Sequence, residues 1–156
     1  MIDLSSLVFE QATSKDAAAL LELESRVASP RTYEPRVTID EAITEISNNT
    51  FYFIKHQGVI VGSASVRLHA NGAIYFGNMA VDPVYRRQGI ARAAMKFLIE
   101  EYKSAGRPEL VTHPENEAAL QLYASLGFKI EAIYPNFFGD GEPRVMLSRA
   151  PTSISA

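Results

Sequence analysis

The sequence predicts a mixed α/β domain, a hairpin-rich sheet with helices on both faces, and three observations carry that prediction. Strand-like runs lie back to back across the turn dipeptides Gln57-Gly58 and Asn71-Gly72, as antiparallel hairpins require. Helix-like segments, with apolar residues three and four apart, stand on either side of those runs. An apolar run from Ile74 to Val81 ends in Asp82-Pro83, and a helical pattern then opens at Gly89.

The elements follow in order. Leu7 to Ala12 reads as a first strand, and Thr13 with Asp16 three residues on is a cap for a helix through Leu23. A proline-rich stretch with Pro30 and Pro35 interrupts. Thr38 with Glu41 is a capping box for a helix over Ile39, Ala42, Ile43 and Ile46, ended by Asn48-Asn49. Strands are expected at 51–56, 59–69 and 73–81, with Asn71-Gly72 as a type I′ turn. The helix after Gly89 stops at Gly106 before Pro108. A short strand over 109–113, a helix over 116–126 and strands over 128–134 and 144–147 close the chain. No repeat or linker divides it, so residues 1–149 form one domain and 150–156 a disordered tail.

Composition narrows the function. The chain has 156 residues, 47% of them hydrophobic, enough for a single core. A net charge of −3 gives no basic field for nucleic acid or an anionic membrane. No apolar run reaches the roughly 18 residues that span a bilayer, and no signal-peptide pattern opens the chain. Cysteine is absent, which fits a reducing, cytoplasmic setting and excludes a cysteinyl acyl-enzyme. His56, His69 and His113 lack metal-ligand spacing, so no metal is expected.

The segment Arg86-Arg87-Gln88-Gly89-Ile90-Ala91-Arg92 carries the chemistry. A helix N-terminus presents unpaired N–H groups and partial positive charge, Gly89 lets a phosphate approach the backbone, and the arginines add fixed charge. Neither G-x-x-x-x-G-K-[ST] nor G-x-G-x-x-G is present. The pattern R-x-x-G-x-A after Val81-Asp82-Pro83 resembles the acetyl-CoA loop of the GCN5-related N-acetyltransferase (GNAT) family. Asn116, Ala119, Leu122, Tyr123, Gly127 and Phe128 reproduce that family's N-x-x-A-x-x-L-Y-x-x-x-G-F helix in order and spacing.

The resemblance implies a mixed, mostly antiparallel central sheet flanked by helices, ordered β-α-α-β-β-β-α-β-α-β-β. It implies acetyl-CoA as co-substrate, with its pyrophosphate on the loop N–H groups from Arg87 to Arg92. It also implies pantetheine pairing along Met79-Ala80-Val81, and a contact from Asn116, which the residues alone read as a helix N-cap. Arg92 and Lys96, four apart, either meet the 3′-phosphate or form a wet helix face. Tyr123 matches the family's general acid toward the thiolate, although its stripe with Ala119, Leu122 and Leu126 is also a core pattern. Backbone N–H near Met79 or Ala80 would polarise the thioester carbonyl.

The branch resembled most is that of ribosomal-protein and other N-terminal acetyltransferases, in which a glutamate or histidine stands five residues before the asparagine. Val111 occupies that position. His113, two residues on and expected to share the face of Val111, is the candidate base, with Glu115 second. Residues 27–37, with Arg31, Tyr33, Glu34 and Arg36, and the loop Tyr134–Pro143 would bind the acceptor. Phe137-Phe138 replaces the branch's Tyr-Tyr pair, which removes two hydroxyls from peptide-backbone recognition. The aromatic walls with Asp140 and Glu142 would also suit a small cationic amine such as a polyamine or aminoglycoside. The expectation is direct acetyl transfer to a peptide N-terminus or such an amine in a ternary complex. The alternative is a CoA-binding sensor or interaction module that has lost catalysis.

Overall fold

A computed structural model describes residues 2–27 and 38–150; of the expected acceptor segment 27–37 all but Val27, and of the expected tail 150–156 all but Ala150, lie outside them. Strand β1 (Leu7–Gln11) leads through a 3-10 turn into α1 (Ala17–Val27) and then α2 (Ile39–Asn48). Strands β2 (Thr50–His56), β3 (Val59–Leu68) and β4 (Ala73–Val81) precede α3 (Ile90–Glu101). Strand β5 (Arg107–Thr112), α4 (Glu117–Ser125), β6 (Lys129–Tyr134) and β7 (Arg144–Ser148) complete the order anticipated from the resemblance. They form one seven-stranded sheet, β1-β2-β3-β4-β5-β7-β6, with β4 and β5 parallel and the other neighbours antiparallel.

Local chemistry explains most boundaries. Thr38 Oγ1 accepts the Glu41 N–H and Glu41 Oε1 accepts the Thr38 N–H, both at 3.1 Å, the reciprocal box that starts α2. Asp16 Oδ2 takes the Thr13 N–H at 2.8 Å, but a 3-10 turn over Ser14–Asp16 precedes the regular helix. The type I′ turn expected at Asn71-Gly72 is instead at Gln57-Gly58, where both residues have positive φ (50° and 80°) and His56 pairs with Val59. At the other hairpin only Gly72 is left-handed. The His69 N–H bonds the Ala73 carbonyl, giving a three-residue loop, and Asn71 spends its side chain on the Ala73 N–H. Strand β5 starts two residues earlier than expected, because the parallel ladder with β4 begins at Arg107 and tolerates Pro108.

Side-chain alternation sorts the helices onto opposite faces. Phe51 and Phe53 pack with Leu20 and Leu23 of α1 and with Ala42 and Ile46 of α2. Tyr52 packs with Met95 and Leu98 of α3 and Tyr123 of α4, and Ile54 with Ile90 and Ala94. Strand β4 breaks its own alternation. Ile74 and Phe76 face α3, yet Ala80 packs with α1 and α2. The reason is a bulge: Ser63 pairs with Ala80 and Ser65 with Gly77, so three steps on β4 oppose two on β3. Asn78 absorbs the extra residue at φ 52°.

Candidate active site

Strands β4 and β5 pair only from Ala73↔Arg107 to Tyr75↔Glu109. Beyond Tyr75, β4 bends at its bulge while β5 stays with β7. The sheet therefore parts, and a cleft of about 1100 Å³ runs through it with residues of both faces on its walls. Gly62 makes the bend possible, since a Cβ there would collide with the Ala80 carbonyl. The Asp82 N–H donates to the Val61 carbonyl at 2.8 Å. By strand alternation Ala80 also faces β3, which leaves Val81 and Met79 to present main chain to the gap.

One mouth of the cleft lies at the start of α3. Gly89 is the N-cap, left-handed at φ 87°, with no side chain capping the helix. The first intrahelical bond is Ala93 N–H to the Gly89 carbonyl. The N–H groups of Gly89, Ile90, Ala91 and Arg92 precede it and are those a helix leaves unsatisfied. Arg86, Arg87, Gly89, Ile90, Ala91 and Arg92 all line the cleft. Arg87 sits at φ 64°, a conformation costly for a non-glycine residue. Arg86 Nε donates to the Val81 carbonyl at 3.1 Å. Asp82 holds the approach rigid: nearly buried, it takes Arg26 Nε at 2.6 Å and the Val84 N–H at 3.0 Å. Gln88 is turned elsewhere, accepting the Ile2 N–H at 2.8 Å, and neither it nor Lys96 is on the cleft wall.

Tyr123 and Asn116 come to the same cleft from α4. Asn116 Oδ1 accepts the Ala119 N–H at 3.3 Å, so it caps the helix while bordering the cleft. Tyr123 is 7% exposed and packs beside Phe128. Burial, with a smaller contribution from Tyr75, pushes its phenol up to about 12, so it holds its proton at any working pH. Both readings of Tyr123, core residue and cleft residue, describe its position.

His113 is not where the alternation argument put it. Strand β5 ends at Thr112 and the chain turns, so the face of Val111 does not extend to residue 113. The ring is 1% exposed and absent from the cleft wall. Nδ1 accepts the Glu115 N–H at 3.0 Å, which leaves Nε2 to donate to Glu142 Oε1 at 2.9 Å. Both ring nitrogens are spent on tying the β5–α4 turn to the β6–β7 loop. Val111 and Glu115 do line the cleft.

The other mouth is built from four elements of the opposite face. Helix α2 supplies Glu41 and Glu45, with Asn49 at its C-cap; β3 supplies Arg67, with His69 just beyond its end; β4 supplies Tyr75 and Asn78. The β6–β7 loop adds Phe137 and Phe138, stacked edge to face 4.9 Å apart. Arg144, 2% exposed, lies 5.1 Å from the Phe138 ring centre and gives Nη2 to Asp140 Oδ2 at 3.0 Å. The Glu142 N–H first, and the Arg144 guanidinium after it, hold the Asp140 carboxyl below the usual carboxylate range. Sequence reading found the aromatic pair but not Arg144, Glu45 or Asn78. For Asn78 a signal existed: Gly77-Asn78 inside an apolar strand run marks a bulge. For Glu45 there was none.

Comparison with known proteins agrees with this architecture. The model of the acetyltransferase (GNAT) family matches residues 17–128. The [ribosomal protein bS18]-alanine N-acetyltransferase of Escherichia coli (strain K12) is 38% identical over 81 residues, 49% of this chain and 55% of that protein. The chain thus spans about half the length of the curated relatives it matches first. The crystal structure of the ribosomal-protein-S18-alanine N-acetyltransferase from Escherichia coli superposes with a TM-score of 0.77 at 24% identity, over 96% of each chain. YncA from Salmonella typhimurium, solved with its cofactor acetyl-CoA, gives 0.75 at 20% identity over 96% of each chain. At those identities the structural likeness is one of fold. The family model covers well over half of the sequence, and the chain belongs to the GNAT acetyltransferase family.

Proposed function

We propose that this protein is an acetyl-CoA-dependent N-acetyltransferase that acetylates a primary amine by direct attack in a ternary complex. The observation that carries the reading is the cleft through the sheet: main-chain donors and arginines at one mouth, carboxylates and aromatic rings at the other, and Tyr123 on its wall. The two mouths let a polyanionic cofactor and a cationic acceptor enter from opposite faces.

Acetyl-CoA supplies the activated acetyl group. The residues present suit it. The unsatisfied N–H groups from Gly89 to Arg92, with Arg86 and Arg87, would hold the pyrophosphate, and Arg92 would meet the 3′-phosphate. Main chain at Met79 and Val81 would pair with the pantetheine amides, with Asn116 beside it. A main-chain N–H near Met79 would polarise the acyl carbonyl, since Ala80 faces β3. Tyr123, kept protonated by burial, would donate to the sulfur as it leaves.

The acceptor follows from the same chemistry. A relative bears the name of a ribosomal-protein alanine N-acetyltransferase, and an α-amine with pKa near 8 is roughly a tenth neutral at pH 7. A lysine amine, with pKa near 10.4, is less than about a thousandth neutral. A peptide N-terminus is therefore the first acceptor class and a small amine the second, in the cytoplasm. Without cysteine, the protein adds no background to thiol-reagent detection of released CoA. A panel of Ala-, Ser- and Met-initiated peptides, weakly basic small amines and lysine peptides is expected to show CoA release with the first two classes. Acetyl-CoA binding without release in any member would favour a CoA-binding module, for which Val111 and the committed His113 speak.

A further inference from the structure

We propose that residues 2–6 and the Gln88 side chain form a strut that fixes the cofactor loop from behind, which makes Gln88 a positioning residue for acetyl-CoA. This rests on the acetyltransferase reading above. From Arg86 to Arg92, Gln88 alone is off the cleft wall. Its Oε1 accepts the Ile2 N–H at 2.8 Å, in a half-buried contact between residues 86 positions apart. The bond turns the side chain away from the cleft while Arg87 and Gly89, its neighbours, stay on the wall. Gln88 therefore acts on the loop without facing what the loop would hold.

The strut is anchored at both ends and stiff between them. Leu7 opens β1 by pairing with His56. Residues Leu4–Ser6 form a 3-10 turn, in which Asp3 Oδ1 accepts the Ser5 N–H at 3.0 Å and the Ser5 hydroxyl at 2.7 Å. Ile2 packs on the apolar cluster that seats Ile90 and Ala94, in the opening turns of α3. Leu4 completes the contact: its Cδ1 lies 3.1 Å from where a Cβ on Gly89 would stand. The residue that must be bare toward a phosphate is thus also pressed from outside.

The loop needs such a support because its backbone is costly. Arg87 is left-handed at φ 64° without being glycine, and Gly89 is left-handed at φ 87°. A strained conformation persists only where its surroundings over-determine it. Asp82 and the bond from Arg86 Nε to the Val81 carbonyl fix the approach to Arg87. Gln88 stands between the two left-handed residues. Among the described residues, its bond to Ile2 is the one side-chain hydrogen bond made by positions 87–89. Without that bond the loop spends time in other conformations, and its N–H groups no longer converge. The apparent affinity of a ligand that needs the ordered loop falls with the ordered fraction.

The test is a double-mutant cycle on the full chain, read by calorimetric titration of CoA. Gln88→Met keeps the reach of the side chain and removes the acceptor; Ile2→Pro removes the N–H. In the wild-type background Gln88→Met should weaken CoA binding about fivefold, the worth of one half-buried hydrogen bond. In the Ile2→Pro background the same change should cost less than about 1.5-fold, because the bond is already gone. With an Ala-initiated hexapeptide as acceptor, the KM for acetyl-CoA should rise in step, while kcat and the peptide KM stay within about twofold. Equal losses in both backgrounds overturn the proposal. So does a folded Gln88→Met whose unfolding temperature drops while its CoA affinity stays, the mark of packing alone. Should Gln88→Met fail to fold, Ile2→Pro decides by itself: a severalfold loss of CoA affinity supports the strut, and unchanged affinity overturns it. Failure of the enzyme reading is seen separately. A wild type that binds CoA yet acetylates no amine overturns that reading while the cycle still judges the strut, and a wild type that binds no CoA overturns both.

Discussion

The cleft mouth at the start of α3 is made of main chain, and the mouth beside α2 is made of side chains. The first occupies consecutive positions, Arg86 to Arg92, and its donors exist because a helix begins there. The second gathers α2, β3, β4, the β6–β7 loop and the start of β7, with nearly a hundred residues between its contributors at positions 45 and 144. A main-chain site survives most substitutions except those that change backbone conformation. A side-chain site is lost group by group.

The sharpest break in that comparison is Gly89→Glu. A side chain at φ 87° is strained, its Cβ would sit 3.1 Å from Leu4 Cδ1, and its carboxylate would repel a phosphate. Acetyl-CoA binding should weaken at least about a thousandfold by calorimetry. A folded variant that still binds with wild-type affinity would remove the loop from the cofactor site.

Tyr123→Phe comes next, testing a residue that belongs to core and cleft at once. We expect kcat to fall about a hundredfold with acetyl-CoA affinity retained. Full activity would leave Tyr123 as packing only. Stability offers a second readout. The folded phenol is raised to about 12 from an ordinary value near 10, so the neutral form is favoured by folding. That contribution, about 3 kcal/mol, is complete below pH 10 and is lost as pH climbs to 12. Alkaline denaturation should therefore be shallower over that window in Tyr123→Phe, as read by circular dichroism.

His113→Ala tests the side-chain mouth. Losing its bonds to Glu142 and to the Glu115 N–H should loosen the Phe137-Phe138 wall and cost about 1–3 kcal/mol of stability. The acceptor KM should rise severalfold while acetyl-CoA affinity and the shape of the pH–rate profile stay put. A changed profile would return His113 to the role of base. The smallest effect belongs to Arg92→Ala. An exposed arginine near a phosphate is worth about 1 kcal/mol, so CoA should bind about fivefold more weakly while dephospho-CoA is indifferent.

The order of strands and helices along the chain and the helix start at Gly89 were all legible because each is written in contiguous residues. The Thr38–Glu41 box, the Val81-Asp82-Pro83 stop and Gly89 act within a few positions of themselves. Legibility failed where a local rule met a distant partner. The type I′ turn settled on Gln57-Gly58 because β2 and β3 close tightly there, whereas Asn71 gave its side chain to Ala73. His113 was misplaced because strand alternation stops where the strand stops, and Glu142, 29 residues on, captured the ring.

By itself the sequence determined the α/β order, the loop before α3 and the family, since dihedral preferences and helix termini depend on near neighbours. The tertiary structure alone decided what gathers at the mouth beside α2. The Asn78 bulge shifts β4 by one position, parts it from β5, and brings Glu45, Phe137 and Arg144 around one opening. A single extra residue reverses which side chains meet on each face, and no spacing within β4 states which partners will be there to meet.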